Sequence, residues 1–277
     1  MDFSIIIGFI VGLGLIVYGV FDGGNLSNFI SYSSMAITFG GTIAATVMSF
    51  PIGSFKHIPK HMKIIMSRNR YKPQKYIDKI VDYAIEARRK GILALEDKAN
   101  NESDEFLKRA IMLIVDAIEP AKARSMLEAQ LDCLDERHSR GWTIYERAAT
   151  YAPAFGMIGT LIGLINMLKS LGETSSENAA SALGAGMSVA LITTLYGSML
   201  ANLLLVPIAT KLRMRHSEEM ICKELIVEGV LAIHSGTNPR QIEEGLNAYV
   251  ENRLRKYEEE SEVSRPTKKE NSKRKSA

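Results

Sequence analysis

The sequence has 277 residues, of which 46% are hydrophobic and 23% are charged, and its formal net charge is +3. This length fits one large domain or two small ones, and the nearly balanced charge excludes the strongly basic chain that would indicate a nucleic-acid partner. The charge is unevenly distributed, because residues 3–21, 31–52, 148–168 and 182–210 contain none. Each window holds the ~17 or more residues that a helix needs to cross a ~30 Å hydrocarbon core, so the sequence predicts four membrane spans.

The first window is predicted to be a retained span. A cleaved signal peptide would begin with basic residues, whereas this chain has Asp2 at that place. The Gly-Gly-Asn sequence at residues 23–25 is not a convincing cleavage site either.

Basic residues cluster behind the second and fourth windows. They are Lys56, Lys60, Lys63, Arg68, Arg70 and Lys72 after the second, and Lys211, Arg213 and Arg215 after the fourth. The short loops at 22–30 and 169–181 carry a single lysine between them. Because cytoplasmic loops carry the excess of Lys and Arg, both termini and the long middle segment are predicted to lie on the cytoplasmic side of the inner membrane.

The middle segment, residues 53–147, predicts soluble amphipathic helices. Two apolar stripes recur at spacings of three and four residues, Ile77, Ile80, Val81, Ala84 and Ile85 in the first and Leu107, Ile111, Ile114, Val115 and Ile118 in the second. Gly91 is predicted to end the first helix and Pro120 to break the second. No stretch alternates with period two for long enough to form a strand, so the predicted fold is all-α.

These patterns divide the chain into five predicted parts. Residues 1–52 and 148–211 are two membrane hairpins, and residues 53–147 and 212–256 are cytoplasmic helical segments. The remaining tail, residues 257–277, lacks apolar residues to bury and is predicted to be disordered.

Residues that carry enzyme chemistry are scarce. His57 and His61 are one helical turn apart, but no carboxylate is near them in sequence, and a basic surface at the membrane edge is favoured over a metal site. Cys133 and Cys222 are single cysteines on the predicted cytoplasmic side, where thiols stay reduced. Phosphate-binding, hydrolase and zinc-protease motifs are absent from the sequence. We therefore expect neither an enzyme nor a metal or other cofactor.

Small and polar residues interrupt the apolar windows. Gly8 with Gly12, Gly19 with Gly23, and Gly159 with Gly163 have the spacing that lets membrane helices approach closely, either within one subunit or between subunits. The third window also carries Pro153, predicted to start that span, and Thr160 seven residues later. The fourth window carries Thr193, Thr194 and Pro207.

These threonines and prolines predict a wet or ion-bearing seam. Prolines leave helix carbonyls without their usual partners, and threonines offer hydroxyl oxygens. The alternative is that each threonine only donates to a carbonyl of its own helix. Either way, no Asp, Glu, Lys, Arg or His lies inside the four windows. A proton relay in a membrane needs an ionisable group, so that group must come from a partner.

The stretches YAPAFGMIGTLIGL and GMSVALITTLYGSMLANLLLVPIA, together with the four-span layout, resemble the MotA family of flagellar motor stators. The resemblance covers the chain up to about residue 257. It implies a ring, which in this family has five copies, around the single transmembrane helices of two MotB subunits. The MotB aspartate would carry the ion past Pro153, Thr160 and Thr194. The expected ion is the proton. Sodium is the alternative, because Thr160, Thr193 and Thr194 suit hydrated sodium, although threonines at such places need not coordinate anything.

The stretch EARRKGILALEDK is similar to the rotor-facing pattern of that family. The resemblance assigns Arg88 and Glu96 to contacts with the rotor protein FliG, with Arg89, Lys90 and Asp97 as further contacts. TolQ and ExbB are relatives that energise the outer membrane, but they place one span before the large cytoplasmic segment and this chain has two. A membrane scaffold that conducts no ions is the alternative from another class.

Overall fold

The computed structural model describes residues 4–23, 26–67, 71–173 and 176–263, and all regular structure in those ranges is helical. This confirms the all-α prediction. The α-helices are α1 Ser4–Gly23, α2 Tyr32–Met35, α3 Gly41–Ser49, α4 Ile52–Phe55, α5 Ile58–Met66, α6 Pro73–Lys90, α7 Leu95–Asn100, α8 Glu105–Val115, α9 Pro120–Glu173, α10 Ser176–Met199, α11 Val206–His234 and α12 Pro239–Val263. Two π-helical segments, Ala36–Gly40 and Leu200–Leu205, join α2 to α3 and α10 to α11.

Three helical stretches within the described ranges are long and apolar enough to cross a membrane: Ile5–Asp22, Pro120–Ser170 and Leu183–His234. A fourth candidate is the pair Leu26–Ser49 and Ile52–Met66, whose two parts are bent by 119°. The bend falls at Phe50, which has the extended φ of −134°. That conformation follows from the next residue, because Pro51 disfavours helical geometry in the residue before it.

The chain forms two compact units. The first consists of Met1–Asn69 and Glu136–His216, and the second of Arg70–Asp135 and Ser217–Ala277. In the first unit, Ile65 of α5 is buried beside Trp142 and Tyr145 of α9 and Leu212 of α11. Residues that flank the predicted spans therefore pack in the same unit as the spans. That residues 53–69 and 136–147 lie on the cytoplasmic side stays a prediction.

The second unit has a core of its own, built from α6, α7, α8, α12 and the parts of α9 and α11 within its ranges. Most of both predicted stripes is buried there, and the fully buried side chains include Ile77, Ile80, Leu107, Ile111 and Ile114. Ile85 is the exception, with 44% of its surface exposed. The pattern of apolar residues thus identifies the buried faces of α6 and α8.

The helix ends follow from backbone geometry. Gly91 ends α6 with φ of +88°, as predicted. Helix α8 ends at Val115, because Ala117 takes a φ of +52° and the amide of Ile118 donates to the carbonyl of Leu113 at 3.1 Å. The prediction that Pro120 breaks this helix was wrong. Pro120 begins α9, where its missing N–H costs nothing and its fixed φ suits the first turn.

The last described helix, α12, continues to Val263, beyond the point where the sequence analysis began the disordered tail. Residues 264–277 of that tail lie outside the described residues.

Candidate functional site

Helices α9 and α10 approach each other through glycines within the first unit. A β-carbon added at Gly163 would lie 2.6 Å from the carbonyl oxygen of Gly186, and one added at Gly159 would lie 2.6 Å from the hydroxyl oxygen of Thr193. A β-carbon at Gly197 would lie 2.6 Å from the carbonyl oxygen of Ala152. No other residue fits at such separations. We call Gly159, Gly163, Gly186 and Gly197 the glycine seam, and its packing lies within one subunit.

The glycines of α1 are different. Gly8, Gly14 and Gly19 have no described atom within 4 Å of an added β-carbon, and Gly12 meets only the side chain of Leu203 at 3.1 Å. At about 100° per residue, Gly8, Gly12 and Gly19 share one face of α1, whereas Gly14 lies on another. Apart from the contact at Gly12, that shared face has room for a helix that is not part of this chain.

The three predicted threonines all donate to carbonyls of their own helices. Thr160 donates to Met157 at 2.6 Å, Thr194 donates to Ala190 at 3.3 Å, and Thr193 lies 2.9 Å from the carbonyls of Val189 and Ala190. Their exposure differs, because Thr193 is fully buried against the glycine seam, whereas Thr160 is half-buried and Thr194 is exposed. Of these three threonines, only Thr160 and Thr194 can present an oxygen lone pair to a group outside the subunit.

Both predicted prolines lie where helix geometry is perturbed. Pro153 lies inside α9, which begins at Pro120, so it does not begin the helix; that it starts the third span stays a prediction. Pro153 cannot donate to the carbonyl one turn earlier, which leaves that oxygen without its usual helical donor. Pro207 is the second residue of α11 and directly follows the π-helical segment Leu200–Leu205. Wide π turns often occur at functional sites.

The sequence analysis missed a row of hydroxyl side chains in the second span. Ser34, Thr38, Thr42 and Thr46 recur every four residues and are all buried within the first unit. Thr42 and Thr46 donate to the carbonyls four residues earlier, at 2.6 and 2.7 Å. Thr38 instead donates to the carbonyl of Thr193 at 3.4 Å. This hydroxyl row can be detected in the sequence from its spacing of four. It connects the second span to Thr193, which packs against the glycine seam.

The predicted rotor-facing residues lie in the second unit at the corner between α6 and α7. Arg88, Arg89 and Lys90 form the exposed last turn of α6, and Glu96 and Asp97 lie in the exposed first turn of α7. Both placements agree with the helix dipole, which favours cations at the C-terminus and anions at the N-terminus. Arg88, Arg89, Glu96 and Asp97 make no ion pair with any residue that the structure describes.

Ion pairs behind these residues hold the corner together. Lys98 of α7 pairs with Glu86 and, at 2.9 Å, with Asp82, both on α6. Hydrogen bonds from Lys98 and Lys90 lower the pKa of Glu86. Burial alone would raise the pKa of Glu102, but hydrogen bonds from Lys79 and Tyr83 outweigh it and lower that pKa to about 2. The corner therefore presents unpaired charges on a fixed backbone.

The remaining candidates form no reactive centre among the described residues. His57 is exposed, whereas the Nδ1 of His61 lies 3.3 Å from the Tyr145 hydroxyl. Cys133 is exposed and Cys222 is buried, and both are free thiols. No group of three metal-ligating side chains occurs in the part of the chain that the structure describes.

Comparison with known proteins gives two family matches. Residues 98–224 match the MotA/TolQ/ExbB proton channel family, and residues 6–89 match the family described as Motility protein A N-terminal. The chain is 39% identical to Motility protein A of Borreliella burgdorferi, over 90% of this chain and 94% of that protein. It is 37% identical to Motility protein A of Treponema phagedenis, with the same two shares covered. A solved structure of the flagellar MotAB stator complex from Bacillus subtilis superposes with a TM-score of 0.77 at 30% identity, covering 90% of this chain and 97% of that one.

Proposed function

This chain belongs to the MotA/TolQ/ExbB proton channel family, and from that premise we propose that it is the ion-conducting stator subunit of a bacterial flagellar motor. The observation that carries the proposal is the match of residues 6–89 to the Motility protein A N-terminal family. That region contains the first two predicted spans, which precede the large helical segment and distinguish the motor subunit from TolQ and ExbB. The protein acts as an integral component of the inner membrane and not as an enzyme.

The subunit works as a homo-oligomer, with five copies expected, around a MotB-like partner with one transmembrane helix. Two features of this chain support the need for a partner. None of the four predicted windows contains an ionisable residue, and an ion-carrying membrane path needs one. The face of α1 that carries Gly8 and Gly19 also has room for another helix. The carboxylate that takes up and releases the ion therefore belongs to the partner.

Ion uptake neutralises the partner's carboxylate and removes the cost of moving it through an apolar ring. The carboxylate then moves past the face formed by Pro153, Thr160 and Thr194 to the next subunit. The carbonyl that Pro153 leaves without its usual helical donor and the half-buried hydroxyl of Thr160 offer oxygens to the ion or its water. Moving one charge through 100 mV provides ~2.3 kcal/mol, enough to bias successive steps in one direction.

Torque leaves through the second unit. The exposed, unpaired Arg88 and Glu96 contact charged groups of the rotor protein FliG, assisted by Arg89, Lys90 and Asp97. This requires both termini and the second unit to lie in the cytoplasm, as the basic residues behind the second and fourth spans favour.

Assembly gives the direct test of this function. Expressed together with a MotB-like single-span protein, the chain should purify in detergent as a homo-oligomer that retains that partner. The masses of the complex and of the separated subunits give the stoichiometry. A stable monomer that retains no partner would contradict the proposal.

The ion-path assignment predicts that substitutions at Thr160 and Pro153 impair the motor, whereas a similar substitution outside the path does not. Thr160→Val keeps the shape of the side chain and removes one half-buried hydroxyl, so ion flux and swimming speed should fall severalfold. Pro153→Ala restores a backbone donor to the carbonyl four residues earlier and should also slow rotation. Ser170→Ala is the matched control, since its hydroxyl likewise donates to its own helix, at 2.9 Å from the carbonyl of Asn166, but lies outside the proposed path.

Ion flux and swimming speed are measured in cells in which each variant assembles at normal levels, with and without sodium in the medium. Loss of activity in one medium only identifies the coupling ion. Full activity of Thr160→Val and Pro153→Ala in both media would exclude this face from the ion path.

A further inference from the structure

Helices α4 and α5 follow the bend that ends the second span. The helical stretches Leu26–Ser49 and Ile52–Met66 differ in direction by 119°. If the first crosses a membrane, the second lies closer to the membrane plane than to the membrane normal. In that orientation the chain turns at the end of the span and continues along the membrane surface.

One face of α5 is fixed within the first unit. Ile65 is 2% exposed, and its buried neighbours are Trp142, Tyr145, Ile208, Ala209 and Leu212. One turn earlier, His61 contacts the hydroxyl of Tyr145. The carbonyl of Ser67, just after the helix, accepts a hydrogen bond from Arg215 at 3.0 Å. These contacts prevent α5 from rotating about its axis.

The opposite face of α5 carries lysines. Lys60 and Lys63 are three residues apart and therefore lie on one side, and Lys56 precedes Lys60 by one turn with a helical backbone conformation. At about 100° per residue, this side points away from the one that buries Ile65. Lys56, Lys60 and Lys63 are all exposed and make no ion pair within the described part of the chain. We call them the lysine row.

Exposed apolar side chains flank the lysine row. Met62 and Ile64 lie on either side of it with 36% and 39% of their surfaces exposed, and Ile52 before it is 75% exposed. A helix with apolar flanks and a basic stripe has the composition of helices that bind at the membrane interface. Lysine suits this position, because its long stem can lie along apolar surface while the ammonium group reaches a phosphate.

We propose that the lysine row binds the headgroups of anionic phospholipids and thereby fixes the height of the first unit in the bilayer. Charge complementarity selects these lipids: three unpaired ammonium groups meet a net negative headgroup, whereas a zwitterionic headgroup offers no net attraction. The proposal rests on the proposed function only for its assignment to the cytoplasmic leaflet.

The test uses the complex with its partner in nanodiscs of phosphatidylcholine, with and without phosphatidylglycerol. Phosphatidylglycerol should raise the midpoint of thermal unfolding of the unmodified complex, because a ligand that binds the folded state stabilises it. The variant K56Q/K60Q/K63Q should lose most of that increase, and K56R/K60R/K63R should keep it. The control variant K75Q/R109Q/K122Q removes the same charge from exposed sites in the second unit and should also keep it.

Several results would overturn the proposal. The glutamine variant could retain the full increase, or the control variant could lose as much of it, which would indicate a general effect of net charge. A smaller oligomer of the glutamine variant in phosphatidylcholine alone would assign the lysine row to a contact between copies of the chain. Because the assay measures neither ion flux nor partner binding, its failure leaves the proposed stator function intact. If the chain were not a stator subunit, it would instead lose the partner during purification.

Discussion

Gly186→Ala is expected to destabilise the first unit and abolish swimming, whereas Gly184→Ala, two residues earlier in α10, is expected to be harmless. A β-carbon at position 186 would lie 2.6 Å from the β-carbon of Met167 and 2.8 Å from the carbonyl oxygen of Gly163. The second atom belongs to the backbone of α9 and cannot move independently, so the two helices must separate. Overpacking of this kind costs about 1–3 kcal/mol.

Gly184 provides the matched control because no described atom lies within 4 Å of an added β-carbon there. Alanine also favours a helix over glycine, so this variant should be unchanged or slightly stabilised. The measurements are the thermal unfolding midpoint of the purified complex and the swimming speed of cells that express it. Equal midpoints for the two variants would show that the glycine seam does not limit the packing of α9 against α10.

The double charge reversal Arg88→Glu with Glu96→Arg should stop rotation while leaving the assembled stator intact. Both residues are exposed, and neither makes an ion pair within the described ranges, so their removal leaves no buried charge without a partner. Exposed ion pairs are worth only ~0–1 kcal/mol each, so the single reversals should be milder than the double one. Swimming speed and the amount of assembled complex are measured side by side.

Glu119→Lys with Lys122→Glu is the control for this reversal. These residues are also exposed and oppositely charged, lie in the second unit and leave the net charge unchanged. This variant should swim normally. If the Arg88 and Glu96 double variant swims equally well, these two residues do not contact the rotor.

Much of the fold could be predicted because its determinants are local. The apolar stripe through Ile77 and Ile80 specifies the buried face of α6, and Gly91 ends that helix because it adopts a φ that other residues avoid. The four uncharged windows can likewise be recognised from composition alone. Each of these features is fixed by residues within a few turns of one another.

Prolines and glycines were harder to interpret because their effects depend on distant parts of the chain. Pro120 was predicted to break a helix but begins one, whereas Pro153, predicted to start the third span, lies inside a longer helix. The spacing of Gly159 and Gly163 predicts a close approach, but only the fold shows that the partner is α10 of the same subunit. The hydroxyl row through Thr38 and Thr42 escaped notice because threonines do not interrupt an uncharged window.

The identification of the proposed site residues from sequence is also limited, because the groups that they act on belong to other chains. Thr160 and Thr194 are distinguished from Thr193 only by exposure, which the sequence does not encode locally. Arg88 and Glu96 satisfy the helix dipole whether or not a rotor is present, so their chemistry alone does not reveal a partner.

The most direct test of the account is ion flux through reconstituted vesicles. The complex of the chain with its single-span partner should dissipate an imposed proton or sodium gradient when its ion path is open. The chain alone should not, and neither should the complex in which the partner's membrane aspartate is replaced by asparagine. This pattern would establish that the ion-carrying group comes from the partner. Flux through the chain alone, or undiminished flux through the asparagine variant, would contradict it.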